Sequence, residues 1–257
     1  MRVFIAILLS LSLGGAEALA ASRAKVPILA YHRFAPIVQD SMTVSMPVFR
    51  EQMAYLHDHG FTVIPLARLV ESIRTGKPLP ERAVVITVDD GHRSVTSEML
   101  PVLKKYGYQA TLFIYPSAIA NASYAMTWEE LQGLQKTGLF TIQAHTYWHP
   151  NFKIEKRRQP PLEYEKFVDS QLRRSRQKLM DKMGSTIDIV AWPFGIYDQE
   201  LMARASAAGY IAGLTIDGRH AGAGDQLLAL PRYLMNNGYS GARLASLLGG
   251  PPTAKRK

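Results

Sequence analysis

The chain has 257 residues, 47% hydrophobic and 20% charged, a balance that suits one barrel-sized folded domain and excludes wholesale disorder. It contains no cysteine, which excludes a thiol nucleophile, a lipoprotein anchor and any zinc site built on thiolates. The net charge of +9 gathers over residues 153–182 and at Lys255-Arg256-Lys257. It reads either as solvated helix faces and a free tail or as attraction to an anionic cell surface, and no nucleic-acid module accompanies it.

In chain order, residues 1–20 read as a signal peptide. Arg2 is a short positive region, Val3 to Leu13 an apolar run, and Ala18-Leu19-Ala20 a small-x-small cleavage site. The mature chain is then expected to start at Ala21 and to be exported, to a periplasm or the cell exterior. An uncleaved anchor is the alternative, but the run is short for a membrane span and no later segment reaches that length, so no stable membrane insertion is expected. The domain is expected over 21–250 and a basic tail over 251–257.

Seven short apolar, β-branched runs follow: Val26 to Tyr31, Phe61 to Pro65, Ala83 to Val88, Ala110 to Tyr115, Phe140 to Ala144, Ile187 to Trp192 and Tyr210 to Ile216. Their near-continuous apolarity is that of strands covered on both faces. Helical patterns alternate with them, at Pro47 to His59, Thr96 to Tyr106, from a capping box at Thr127 and Glu130 to near Gly138, Pro161 to Met183, and from an Asp198 cap to Ala208. Such alternation predicts an α/β fold, a distorted (β/α) barrel of about seven parallel strands in a single domain, with chemistry at the carboxyl ends of the strands.

Polar residues fall at those ends. The first run ends in His32, the third in Asp89-Asp90-Gly91, the fifth in His145 with His149 after it, the sixth in Pro193-Phe194-Gly195 and the seventh in Asp217. Adjacent carboxylates repel unless a cation sits beside them, and one can bind it while the other stays free as a base. Taken alone, Asp89-Asp90-Gly91 could equally be a turn with a helix cap. Histidines at i and i+4 can share a helix face, or be brought together by a tight turn, and hold one ion. One carboxylate and two imidazoles make an open three-ligand site that suits zinc, with cobalt, nickel or iron as alternatives. His32 is then a candidate acid for a leaving group.

At these residues the sequence resembles the NodB-type polysaccharide deacetylases, carbohydrate esterase family 4, over roughly Val26 to Tyr233. The family's T-F-D-D-G reads TVDDG at Thr87 to Gly91, and its H-[S/T]-x-x-H reads HTYWH at His145 to His149. The resemblance implies a distorted (β/α) barrel, Asp89 as general base, and Asp90, His145 and His149 as metal ligands. It also implies hydrolysis of N-acetyl groups from an N-acetylated amino-sugar polymer. The family's R-x-P-[Y/F] reads Ala191-Trp192-Pro193-Phe194, so the arginine that orients the base is missing; Arg232 is the proposed substitute, and the backbone N–H near Phe194 the oxyanion donor. The C-terminal L-x-I-H is also absent. Tyr31-His32 instead resembles the permuted branch that deacetylates poly-β-1,6-N-acetylglucosamine, in which such a histidine is the acid. Asp217 is expected to hold a histidine or arginine in place. A non-catalytic carbohydrate-binding relative, or a metal hydrolase of another amide or ester, are the competing readings.

Overall fold

The computed structural model of the protein describes residues 25–250, so the expected signal peptide, the cleavage point and the basic tail lie outside the described residues. Strand β1 (Lys25–Val26) leads into β2 (Ile28–Tyr31). A small parallel ribbon of β3 (Arg33–Ala35) and β4 (Thr43–Ser45), not foreseen in the sequence, comes next. Then follow α1 (Met46–Asp58), β5 (Thr62–Val63), α2 (Leu66–Thr75), β6 (Ala83–Asp89), a π-helical turn (Val95–Met99) running into α3 (Leu100–Tyr106), β7 (Ala110–Ile114), α4 (Trp128–Lys136) and β8 (Phe140–Ala144). The second half holds α5 (Phe152–Arg158), α6 (Pro161–Met183), β9 (Ile189–Ala191), α7 (Gln199–Ala207), β10 (Ala212–Leu214), β11 (Ala221–Gly222), β12 (Tyr233–Leu234) and α8 (Gly241–Leu248).

The main sheet runs β10-β9-β8-β7-β6-β2-β12 with every pair parallel, and β5 pairs only the start of β6. It curls into the expected distorted barrel. Leu230 exchanges hydrogen bonds with β10 and its continuation (to Gly213, 2.7 Å, and from Thr215, 2.8 Å), while Met235 N–H reaches Ala30 of β2 at 2.9 Å. One stretch, 230–235, therefore touches both ends of the curled sheet. The Phe61 run is shorter than expected because β5 sits at the barrel's amino end. There α2 turns Leu66, Leu69 and Val70 onto Val26, Ile28 and Ala83.

Local chemistry sets the helix starts as expected. Thr127 and Glu130 form a reciprocal capping box, with bonds of 3.2 and 2.7 Å, and the Asp198 carboxylate accepts from Leu201 N–H at 2.8 Å.

Side-chain parity positions the site. Along β6, Val84, Ile86 and Val88 join the large apolar cluster under the helices, while Ala83 and Val85 join the smaller cluster inside the barrel. A period of two then turns Thr87 and Asp89 inward as well. On β8, Phe140, Ile142 and Ala144 pack under the helices, which turns Thr141, Gln143 and the next residue, His145, inward. On β2, Leu29 and Tyr31 face out and Ile28 faces in, leaving His32 on the inner side just past the strand end. Three sequence-distant polar residues thus meet at the carboxyl end of one barrel. Among the described residues no helix is long and apolar enough to cross a membrane.

Candidate metal-dependent active site

Strand β6 ends with Asp89 buried at 2% exposure. The chain then turns through two residues at positive φ, Asp90 (73°) and Gly91 (72°). A Cβ on Gly91 would meet the ends of the Ile114 and Ile119 side chains at 3.0 Å, so glycine is favoured both by the backbone and by the packing. Asp90 N–H donates to the Phe113 carbonyl oxygen at 3.1 Å.

An arginine from another strand end lies on Asp89. Arg232, fully buried just before β12, donates from Nη1 and Nη2 to the two oxygens of Asp89 at 2.8 and 2.7 Å. Its Nε donates to the Thr215 carbonyl at 2.9 Å and its Nη1 to Thr87 Oγ1 at 3.2 Å. Burial pushes the Asp89 carboxyl up. The Arg232 guanidinium, with help from His145, outweighs that and holds it well below the ordinary carboxylate range.

His145 is buried, and its Nδ1 lies 2.8 Å from the Ala191 carbonyl, an acceptor-only partner that places the ring hydrogen on Nδ1. Burial pushes its pKa down to about 3, against the pull of Asp89, so the ring is neutral and Nε2 carries a free lone pair. That Nε2 is 3.7 Å from Asp90 Oδ1, and His149 Nε2 is 3.8 Å from the same oxygen. The His145-to-His149 segment is a tight turn and not a helix, with Thr146 and His149 at φ of 62° and 63°. The helix-face alternative is thereby replaced by a loop in which the turn itself brings the rings together, 4.6 Å apart edge to face.

The donor set fits a divalent cation. Ligand atoms of Asp90, His145 and His149 lie within 4.8 Å of one another, and a tetrahedral ion with bonds of about 2.0–2.1 Å needs separations of roughly 3.3 Å, a small contraction. Asp90 Oδ1 is buried without a hydrogen-bond partner, which is costly unless a cation completes it. Burial, with repulsion from Asp89, raises the Asp90 carboxyl against the opposing pull of His32.

The remaining expected residues are placed unevenly. His32 is half-buried, with a buried Nδ1 that has no hydrogen-bond partner. Pro193 is buried and opens a short turn, Pro193–Gly195, in which Phe194 sits at φ 56°, half-exposed, its ring 4.6 Å from that of His149. Asp217 does not hold a histidine or arginine of the site. It lies past the end of β10 on the exposed side, and its carboxylate accepts from Tyr197 Oη at 3.0 Å. Sequence reading passed over Tyr115, whose ring packs on His149 at 5.3 Å and whose hydroxyl bonds that of Tyr124. Its signal was its place at the end of the fourth apolar run.

Residues 76–213 of the chain match the family described as polysaccharide deacetylase. YxkH of Bacillus subtilis (strain 168), provisionally named a polysaccharide deacetylase, is 29% identical over 226 residues, 88% of this chain and 76% of that one. The Escherichia coli (strain K12) poly-beta-1,6-N-acetyl-D-glucosamine N-deacetylase is 24% identical over 236 residues, 79% of this chain but 35% of that one, so the similarity spans about a third of that relative's length. Among solved structures, Streptococcus pyogenes deacetylase PplD in complex with acetate matches with a TM-score of 0.79 at 21% identity, over 88% of this chain and 98% of that one. At that identity the match speaks for the fold.

Proposed function

The chain belongs to the polysaccharide deacetylase family, and from that premise we propose that it hydrolyses N-acetyl groups of an N-acetylglucosamine polymer, releasing acetate and leaving a free amine. The observation that carries this reading is the pairing of a clamped carboxylate, Asp89 on Arg232, with an adjacent open donor set, Asp90, His145 and His149. A purely carbohydrate-binding protein has no need to bury an arginine fork on an aspartate beside three ligand atoms. Poly-β-1,6-linked N-acetylglucosamine is the favoured polymer, on the Tyr31-His32 signature and the name of the Escherichia coli relative.

Asp90, His145 and His149 would hold the ion, with zinc favoured by two neutral imidazoles and one carboxylate. A bound divalent cation supplies Lewis-acid polarisation of the acetamide and acidifies water, so that a weak base suffices. Asp89 is such a base. Arg232 keeps it ionised at any working pH and fixes its plane, so its role is to receive a proton in one direction. The backbone N–H at Phe194, on a rigid left-handed turn against His149, would face the developing oxyanion. His32, half-buried just past the end of β2 on the inner side of the barrel, would hand a proton to the departing nitrogen.

The amino-terminal apolar run with its Ala18-Leu19-Ala20 site supports export, which matches an extracellular polymer as substrate. The test is acetate release from N-acetylglucosamine oligomers of β-1,6 and β-1,4 linkage and from a small acetate ester, with and without a chelator. Chelator-sensitive release from the oligomers is expected. Release confined to the ester, or none from zinc-loaded protein, would overturn the proposal.

A further inference from the structure

Helix α6 buries a stripe of Tyr164, Val168, Leu172, Leu179 and Met183 against the barrel, interrupted by two polar residues, Gln171 and Ser175. Gln171 is 3% exposed, and a buried amide in an apolar stripe needs a specific partner. That partner is the backbone of the histidine turn. Gln171 Oε1 accepts the Trp148 N–H at 3.1 Å, between His145 and His149.

The turn needs such a hold. Two of its non-glycine residues, Thr146 and His149, sit in the left-handed region, which L side chains enter only when their surroundings over-determine it. Relaxing either φ would rotate one imidazole away from the other. The turn has one internal brace, His149 N–H to Thr146 Oγ1 at 3.2 Å, and two outer braces from the β7 side, His145 N–H to the Ile114 carbonyl at 2.9 Å and Ser117 N–H to the Tyr147 carbonyl at 3.1 Å. On the α6 side Gln171 grips the backbone, and one turn further along the helix Arg174 lies 4.1 Å over the Tyr147 ring. Gln171 bonds the backbone of the turn at Trp148 and not a donor atom of the set.

We propose that Gln171 is a positioning residue for the metal pair. Its grip on the Trp148 N–H keeps the strained turn wound, so that His145 and His149 converge on one ion. The proposal rests on the metal-site reading above and adds to it the element that sets the affinity.

The test uses the whole protein and zinc alone. Zinc affinity is measured by competition with a chromophoric chelator, and Trp148 amide hydrogen exchange is measured on the metal-free protein. Gln171→Met keeps length and packing but removes the acceptor. It is expected to weaken zinc binding by about 10- to 100-fold, the range found when partners of metal ligands are removed. It should also deprotect the Trp148 amide and lower kcat at limiting zinc, with KM for oligomer unchanged and kcat restored by excess zinc. Gln171→Glu, which keeps an acceptor oxygen at the same reach, should recover most of the affinity. Should Gln171→Met fail to fold, Gln171→Asn, with the amide drawn back by one methylene, makes the same comparison. Zinc affinity within twofold of wild type in a folded Met or Asn variant, or a Glu variant as weak as the Met variant, overturns the proposal. Wild-type protein that binds no zinc overturns the metal-site reading itself, a result distinguishable because no variant is needed to see it.

Discussion

Replacing Arg232 by Met tests the arrangement at its most consequential contact. Arg232 is 0% exposed and makes two charge-assisted bonds, of 2.7 and 2.8 Å, to a carboxylate that is itself 2% exposed. Removing one partner of such a pair leaves an uncompensated buried charge, at a cost of about 3–5 kcal/mol. That is a large part of the 5–15 kcal/mol of a typical domain, roughly. The carboxylate can escape part of the cost by taking up a proton, because with Arg232 gone the burial that pushes Asp89 up loses its largest opposing charge. Two readouts follow. Urea denaturation should show the loss of stability, and the double variant Asp89→Asn/Arg232→Met should regain much of it, since the stranded charge is then absent. The acid limb of the pH profile for acetate release should move to higher pH, because Asp89 must be ionised to accept a proton. Arg232→Lys should rescue poorly, as one ammonium cannot reproduce a two-pronged fork. An Arg232→Met protein with a wild-type acid limb and wild-type turnover would refute the assignment of Arg232 as the holder of the base.

Asp89→Asn is expected to retain zinc by elemental analysis while acetate release falls about 100- to 10,000-fold, the usual worth of a general base; retained turnover would remove Asp89 from that role. His32→Ala should lower kcat by a similar factor of about 100 or more and leave KM and zinc content unchanged, with undiminished turnover returning His32 to a lining role. Metal-free protein should lose stability on mild acidification. The unfolded chain protonates His145 near its ordinary 6.5, but burial keeps the folded residue neutral down to about 3. Its contribution is therefore complete above pH 6.5 and drains away as the pH falls from there, at up to about 1.4 kcal/mol per pH unit. Urea midpoints taken in chelator between about pH 7 and pH 4 should show this slope, and His145→Gln should flatten it; an equal slope in both proteins would contradict the buried neutral ring.

Much of this molecule is legible without coordinates, and the legible part is local. The capping box at Thr127 depends on two residues three apart. The inward parity of Thr87, Asp89 and His145 depends only on strands having a period of two. Spacing and strand ends bring Asp89 and Asp90 to one site, while the division of roles between them is what the family resemblance implies. The edges of the short strands were less legible: β5 and β10 lose residues at their ends, and the β3–β4 ribbon carries no periodic signal in three residues per strand.

What only the tertiary structure decides are contacts made by the closing of the barrel. Arg232 could be named in the sequence as a substitute, but it stands 143 residues from Asp89, and the fork forms because stretch 230–235 lies between β10 and β2 and opposite the end of β6. Asp217, equally well placed by its position after a strand, misses the site because the chain there has already turned to solvent and met Tyr197. Gln171 gives only an indirect sign, a polar residue in an apolar helical stripe, and its partner becomes visible once α6 is packed on β8. Periodicity is a property of backbone geometry within one element, so sequence carries it. The meeting of side chains from different elements depends on strand order and curl, which the summed packing of the whole core determines.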